Sequence, residues 1–273
     1  MWYRLLDLFW DRPISETATC NTLQLYTAYS RSWLGRYLPG RIWMFGGRLL
    51  LAARNGLPSE AVIRSMAFEN LWGLGTTAVI GTSLFLFASS QYLFATFVLV
   101  LGLSSLAGGV PLVQRILDIE KLITNTPTAL RPAAHFSQRI LVGNKPLTVR
   151  GSITGVMVFG LHSCSQLAFI VLLSESFVHL TLEQSLAIAG AWGISTILGF
   201  FVFIAPGPSG LGVRDGIALL LFSQVIDLPM AGIIVGVSRM IMIFSDIAFV
   251  GIIEVVVIGK KITKRAFCSP VGV

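Results

Sequence analysis

A chain of 273 residues with 54% hydrophobic and only 12% charged residues, and a mean hydropathy of +0.78, lies far outside the composition of a soluble domain. Its formal net charge of +7 comes from basic residues in segments that flank apolar runs, as membrane orientation and anionic headgroups require, which argues against nucleic acid as a partner. Cys20, Cys164 and Cys268 have neither CxxC nor metal-ligand spacing, so no disulfide framework, zinc site or other metal centre is expected.

Residues 1–35 hold no apolar run of the roughly 20 residues needed to cross a bilayer, and are read as an N-terminal segment without a span. Residues 36–273 are read as a single integral membrane domain. It opens with a polar interruption, Arg36-Tyr37-Leu38-Pro39-Gly40-Arg41-Ile42-Trp43. An apolar run, Ile42 to Ala53, carries Arg48 and ends at Asn55-Gly56-Leu57-Pro58; at about a dozen residues it is a half-helix or re-entrant candidate. A helix is expected from Ser59, a suitable N-cap, through Glu69 to about Phe87. A second span runs from Tyr92 to about Val113.

Apolarity then stops. Residues 115–151 hold Arg115, Lys121, Arg131, Arg139, Lys145 and Arg150 against Asp118 and Glu120, and form a basic loop between two halves, 36–114 and 152–260. Further spans are expected over 152–173 and 184–205. Next comes a second break, Ala205-Pro206-Gly207-Pro208-Ser209-Gly210-Leu211-Gly212, with three Gly and two Pro between 206 and 212. Such a stretch cannot continue a helix and must expose its backbone groups. It is either a surface loop or a broken helix lining a polar cavity, since bare backbone is not tolerated in lipid. A short helix, Val213 to Val225, precedes Asp227-Leu228-Pro229, and a long one, Met230 to Ile258, leads into Lys260-Lys261-Ile262-Thr263-Lys264-Arg265.

The expected fold is all-α: a polytopic helical membrane protein of about five long spans plus two broken or re-entrant half-helices. An internal repeat points the same way. In each half a Pro-Gly break is followed by a short Arg-bearing helix, a Leu-Pro, and a long helix with an ionisable residue early on, Glu69 eleven residues after Pro58 and Arg239 ten after Pro229. Basic segments at 115–150 and 260–265 put both on the cytoplasmic side, so the segment 206–228 must itself cross and the halves form an inverted repeat.

Polar positions follow helical spacing. Gly232, Gly236, Arg239, Asp246 and Glu254 fall within an arc of roughly 80° on the last helix, and Ser65, Glu69, Gly73, Thr76 and Ser83 within a similar arc after Pro58. Glu69, Arg239 and Asp246 are therefore expected on one central cavity, with Glu69 and Arg239 paired directly, through water or through Asp246, because charges at membrane depth are paired or functional. Arg214, with backbone N–H groups around Gly210 and Gly212, makes a candidate anion site suited to phosphate, with Arg48 its counterpart in the first half. His162, near Gly155 and Gln166 on one helix face, is a polar core cluster or a proton-accessible site.

Tyr37-Leu38-Pro39-Gly40-Arg41-Ile42-Trp43, then Arg48, Gly56 and Glu69, together with Pro206-Gly207-Pro208-Ser209-Gly210-Leu211-Gly212-Val213-Arg214-Asp215-Gly216, resemble the transmembrane domain of the lysylphosphatidylglycerol synthetase/flippase family over about residues 30–260. Pro208-Ser209 stands where the family usually has Gly, and Asp215 where it has Glu. Residues 1–35 do not supply the spans that precede the first motif in similar proteins. The resemblance implies translocation of a lipid with an anionic or aminoacylated headgroup, or service to lipid-linked glycan assembly. The expectation is a plasma-membrane translocator with a cytoplasmic C-terminus, no cofactor and no catalytic residues. Its partners would be anionic lipids, with self-association open. The alternative is a scaffold for a glycosyltransferase or lipid-modifying enzyme.

Overall fold

The computed structural model describes residues 22–37, 42–116, 148–202 and 212–267. The described residues form helices joined by short turns, with no strand among them: α1 (Thr22–Leu34), a 3-10 turn (Gly35–Tyr37), α2 (Ile42–Arg54), α3 (Ser59–Ala88), α4 (Tyr92–Ile116), α5 (Val149–Glu175), α6 (Leu182–Val202), α7 (Val213–Phe222) and α8 (Leu228–Phe267). Both Pro-Gly breaks, Gly210 and nearly all of the basic loop lie outside the described residues.

Among the described residues, three helices are long and apolar enough to cross a membrane: α3, α5 and the stretch Leu228–Gly259 of α8. Their outer faces carry large apolar side chains, among them Met157, Leu161, Phe244 and Val255, which suit contact with lipid chains. By contrast, α2 has 13 residues and α7 has 10. At 1.5 Å per residue they reach about 20 and 15 Å, well short of a hydrocarbon core about 30 Å thick.

Helix ends follow from backbone chemistry. Gly56, at φ +76°, closes α2 with its N–H on the Ala53 carbonyl, while Leu57 N–H reaches back to Ala52. That left-handed position is open to glycine at little cost. The cap of α3 is Pro58, at φ −66° and ψ 131°, rather than the expected Ser59, which is the first helical residue. Proline's fixed φ suits the entry, and its missing N–H is one the helix start leaves without an intrahelical partner anyway. Thr148 caps α5 by accepting from the Gly151 N–H at 3.1 Å.

Named contacts fix the helix directions within two triplets, α1 to α3 and α6 to α8. In the first, Gly35 meets Trp43 and Met44 while Ser32 meets Gly47, so α1 and α2 are antiparallel. Arg48 meets Glu69, and Phe45 and Asn70 line one groove, so α2 and α3 are antiparallel too. In the second, Gly199 meets Arg214 and Trp192 meets Phe222; then Asp215 meets Arg239 and Leu219 meets Gly232. Hence α6, α7 and α8 alternate in the same way.

The halves hold each other by exchange. Helix α3 packs antiparallel on α6, where Gly81 lies against Gly193 and Phe85 against Gly190. Helix α8 packs antiparallel on α1, with Glu254 opposite Arg31 and Asp246 opposite Trp33 and Tyr37. The α3–α6 crossing is built from small residues that let backbones meet: a Cβ on Gly81 would come within 2.8 Å of the Gly193 Cα. Helix α4 fills the side of α3 through Gly75 against Leu106 and Gly102 against Val79, and α5 is pinned to α4 by Ser152 Oγ donating to the Leu106 carbonyl at 3.1 Å.

Of residues 1–35, only those from 22 onward are among the described residues. Helix α1, with 13 residues, buries Leu25 and Ala28, and Leu25 shares a core with Ala52, Leu57, Val62 and Met66.

Candidate functional site

The first half holds a buried cation. Arg48 of α2 donates to Glu69 of α3 at 2.5 Å, with side-chain exposures of 2% and 11%. The guanidinium carbon sits 4.4 Å from the centre of the Tyr29 ring of α1, and the Tyr29 hydroxyl donates to the other Glu69 oxygen at 3.0 Å. Glu69 thus accepts from two helices at once, and the ring covers the cation on a face that water would otherwise take. Arg64, five residues before Glu69 on the same helix, is also buried.

The second half repeats the pattern with changes. Arg214 of α7 lies 4.1 Å above the Trp192 ring of α6 and reaches the Met242 sulfur of α8 at 3.8 Å. In both halves, therefore, the arginine of the short helix rests on an aromatic ring of the helix before the break. The ion pair to the following long helix recurs with opposite polarity: Arg48 to Glu69, then Asp215 to Arg239. The second pair is looser, at 3.9 Å, with side chains 23% and 24% exposed.

Glu69 and Arg239 do not pair directly. Glu69 is engaged by Arg48 and Tyr29, Arg239 by Asp215, and Asp246 accepts from Trp33 Nε1 at 3.0 Å and from the Tyr37 hydroxyl. The physical reason is proximity. Each short helix folds back against the long helix that follows it, so the nearest opposite charge belongs to the same half. The structure does bring Arg48 to Glu69 and Arg214 to the same helix as Arg239 and Asp246. Gly212, at φ +101°, stands at the entry to α7.

The aromatic and charged residues of α1 are absent from the sequence-derived site. Tyr29, Trp33 and Tyr37 recur every four residues, with Tyr29 and Trp33 stacked at 5.6 Å, and Arg31 makes a bidentate pair with Glu254 at 2.6 and 3.0 Å. The i, i+4, i+8 spacing of those aromatics was the available signal. An open, shallow apolar groove lies between α2 and α3, lined by Phe45, Leu49, Ile63, Met66 and, at its one polar position, Asn70. Among the described residues no cluster of His, Cys, Asp and Glu is arranged to hold a metal ion.

No family model, no curated protein and no solved structure matches this chain.

Proposed function

We propose that the protein is a translocator of a lipid with an anionic or aminoacylated headgroup, or of a polyprenyl-type lipid carrier, across the plasma membrane. The observation that carries this reading is the pair of arginines, Arg48 and Arg214, each on a short helix beside a break and each seated on an aromatic ring. A guanidinium held in place offers a fork of donors to a phosphate. The open apolar groove between α2 and α3 offers a surface for an acyl chain beside it.

The alternation of helix directions and the exchange of α3 onto α6 and α8 onto α1 favour an inverted repeat, the architecture in which a substrate site lies between two halves of opposite orientation. On this reading α4 and α6 complete five long spans, and the C-terminus is cytoplasmic with the basic loop. The resemblance to the lysylphosphatidylglycerol flippase domain in the two Pro-Gly motifs supports a lipid substrate. The protein works without a catalytic residue.

The test is reconstitution into vesicles holding fluorescent phosphatidylglycerol in both leaflets, with a quencher added outside. Quenching beyond the outer-leaflet half, lost in Arg214→Ala, is the expected result. Quenching that stops at half in every variant, for this lipid and for a fluorescent polyprenyl phosphate, overturns the reading.

A further inference from the structure

The triplet α1 to α3 meets the triplet α6 to α8 along two seams of different chemistry. Between α3 and α6 the backbones touch, with Gly81 on Gly193 and Phe85 on Gly190, so no headgroup can pass there. Between α1 and α8 the contacts are polar and are made by the ends of side chains. Asp246 accepts from Trp33 Nε1 at 3.0 Å and from the Tyr37 hydroxyl, and Glu254 takes the Arg31 guanidinium in two bonds, at 2.6 and 3.0 Å.

These bonds close different edges of the seam. Tyr29 and Trp33, four residues apart, share one face of α1, and Tyr29 reaches the Arg48–Glu69 pair, so the Asp246 bonds close the inner edge. Arg31, between them in sequence, projects from the opposite face. Its side chain is 56% exposed and that of Glu254 28%, which makes this pair the outer edge. Depth differs as well. Asp246 stands near the middle of the spanning stretch Leu228–Gly259, and Glu254 about 16 Å from the middle, where a hydrocarbon core about 30 Å thick gives way to headgroups.

The two sides of the seam are held unequally. Helix α1 is fixed to its own triplet, by Leu25 in the core with Ala52, Leu57, Val62 and Met66 and by Gly35 against Trp43 and Met44. Helix α8 is well buried at its start, through Ala231, Ile234, Val235 and Ser238. From residue 241 to 259, however, only Val250 and Val257 are buried, so the later part of α8 is fastened to α1 by the polar bonds.

We propose that the seam between α1 and α8 is the lateral entry site for a phospholipid, and that Arg31 takes the lipid phosphate in exchange for Glu254. Carboxylate and phosphate are alternative partners for the same guanidinium fork, and at this depth the phosphates of the surrounding lipid lie beside it. Release of Glu254 lets the lightly packed part of α8 swing away from α1. The Asp246 bonds part next, and the headgroup meets Tyr29 and then Arg48. This rests on the transport reading above and supplies its route from the bilayer to the buried arginine.

The experiment uses full-length protein with Cys20, Cys164 and Cys268 replaced by Ser. Spin labels at Tyr26→Cys and Ile258→Cys, both exposed and just over one turn beyond the Arg31–Glu254 pair, report the separation of α1 and α8. A second, longer distance is expected in nanodiscs of phosphatidylglycerol and not in nanodiscs of phosphate-free digalactosyldiacylglycerol. In Arg31→Gln the distances should no longer depend on the lipid. Identical distances in both lipids for the parent protein, or a lipid dependence that survives Arg31→Gln, overturn the proposal. So does opening in the galactolipid discs on addition of inorganic phosphate alone, which makes the site one for a free anion. A second arm bridges the same two cysteines with a cleavable bis-methanethiosulfonate linker in vesicles carrying fluorescent phosphatidylglycerol. Flux is expected to be lost on bridging and to return on reduction. Flux that persists across the bridge defeats the entry site and leaves transport standing. Flux absent in wild type beside lipid-dependent opening defeats the transport reading and leaves the entry site standing.

Discussion

Arg48 and Glu69 are joined at 2.5 Å inside the protein, and each would be a lone charge in a poorly solvated place without the other. Removing one partner of such a pair costs about 3–5 kcal/mol because the survivor stays buried, whereas replacing both by apolar residues of similar volume is often neutral. Glu69→Gln is therefore expected to lower the melting temperature in detergent strongly, and Arg48→Met with Glu69→Leu to recover most of the loss. In a double-mutant cycle Glu69→Gln should couple with Arg48→Gln and be additive with Arg239→Gln, which engages Asp215 instead. Coupling of Glu69 with Arg239 and not with Arg48 would contradict the structure.

Arg214 is seated 4.1 Å above the Trp192 ring, and the proposed transport reading gives the pair a shared role. Arg214→Ala is expected to abolish lipid flux while leaving insertion and melting behaviour close to wild type. Arg214→Lys should keep only part of the flux, since an ammonium cannot present the bidentate fork. Trp192→Leu should lower flux through a mispositioned guanidinium, and should also lower stability because Trp192 is buried against Phe222. Full flux in Arg214→Ala would remove this residue from the mechanism.

At the α3–α6 crossing, a side chain on Gly193 has nowhere to go, since its Cβ would lie 2.7 Å from the Gly81 Cα and 3.2 Å from the Thr77 carbonyl oxygen. Gly193→Val is expected to force the helices apart and to give a protein that inserts but melts many degrees lower. Gly160→Ala, on α5 with open space around the new methyl, serves as the contrast and should be neutral or slightly stabilising. Equal behaviour of the two variants in a thermal-shift assay would count against the packing described.

The basic segments predict sidedness. Cysteines introduced at Lys264 and at Arg139 are expected to react with an impermeant maleimide only from the cytoplasmic side. Opposite accessibility would require an odd number of crossings between them and would end the inverted arrangement of α6, α7 and α8 relative to α1, α2 and α3.

Much of the helix pattern was legible before any coordinates, for a physical reason: hydropathy, proline and glycine mark where a helix can and cannot run in a membrane. Pro58 and Gly56 bracketed the start of α3 to within one residue, and Arg48 was placed on a short helix. Partner choice was not legible. The arc holding Glu69 and the arc holding Arg239 showed which faces are polar, but not that each would meet a short helix of its own half before reaching the other. The contribution of α1 was missed for a related reason. A 13-residue helix of low mean apolarity carries no spanning signal, and its worth to the fold lies in what Tyr29, Trp33 and Tyr37 touch more than 30 residues away.

The exchange of helices between halves also dictates an order of events during synthesis. When α1 leaves the ribosome, Trp33 and Tyr37 are more than 200 residues short of the Asp246 carboxylate they will bond, and Arg31 is 223 residues short of Glu254. The polar edge formed by Arg31, Trp33 and Tyr37 must therefore stay in water or at the headgroups until α8 arrives. A chain cut before residue 246 would keep α1 packed on α2 and α3 through Leu25 and Gly35, but would leave Arg31, Trp33 and Tyr37 without the carboxylates they bond in the complete bundle.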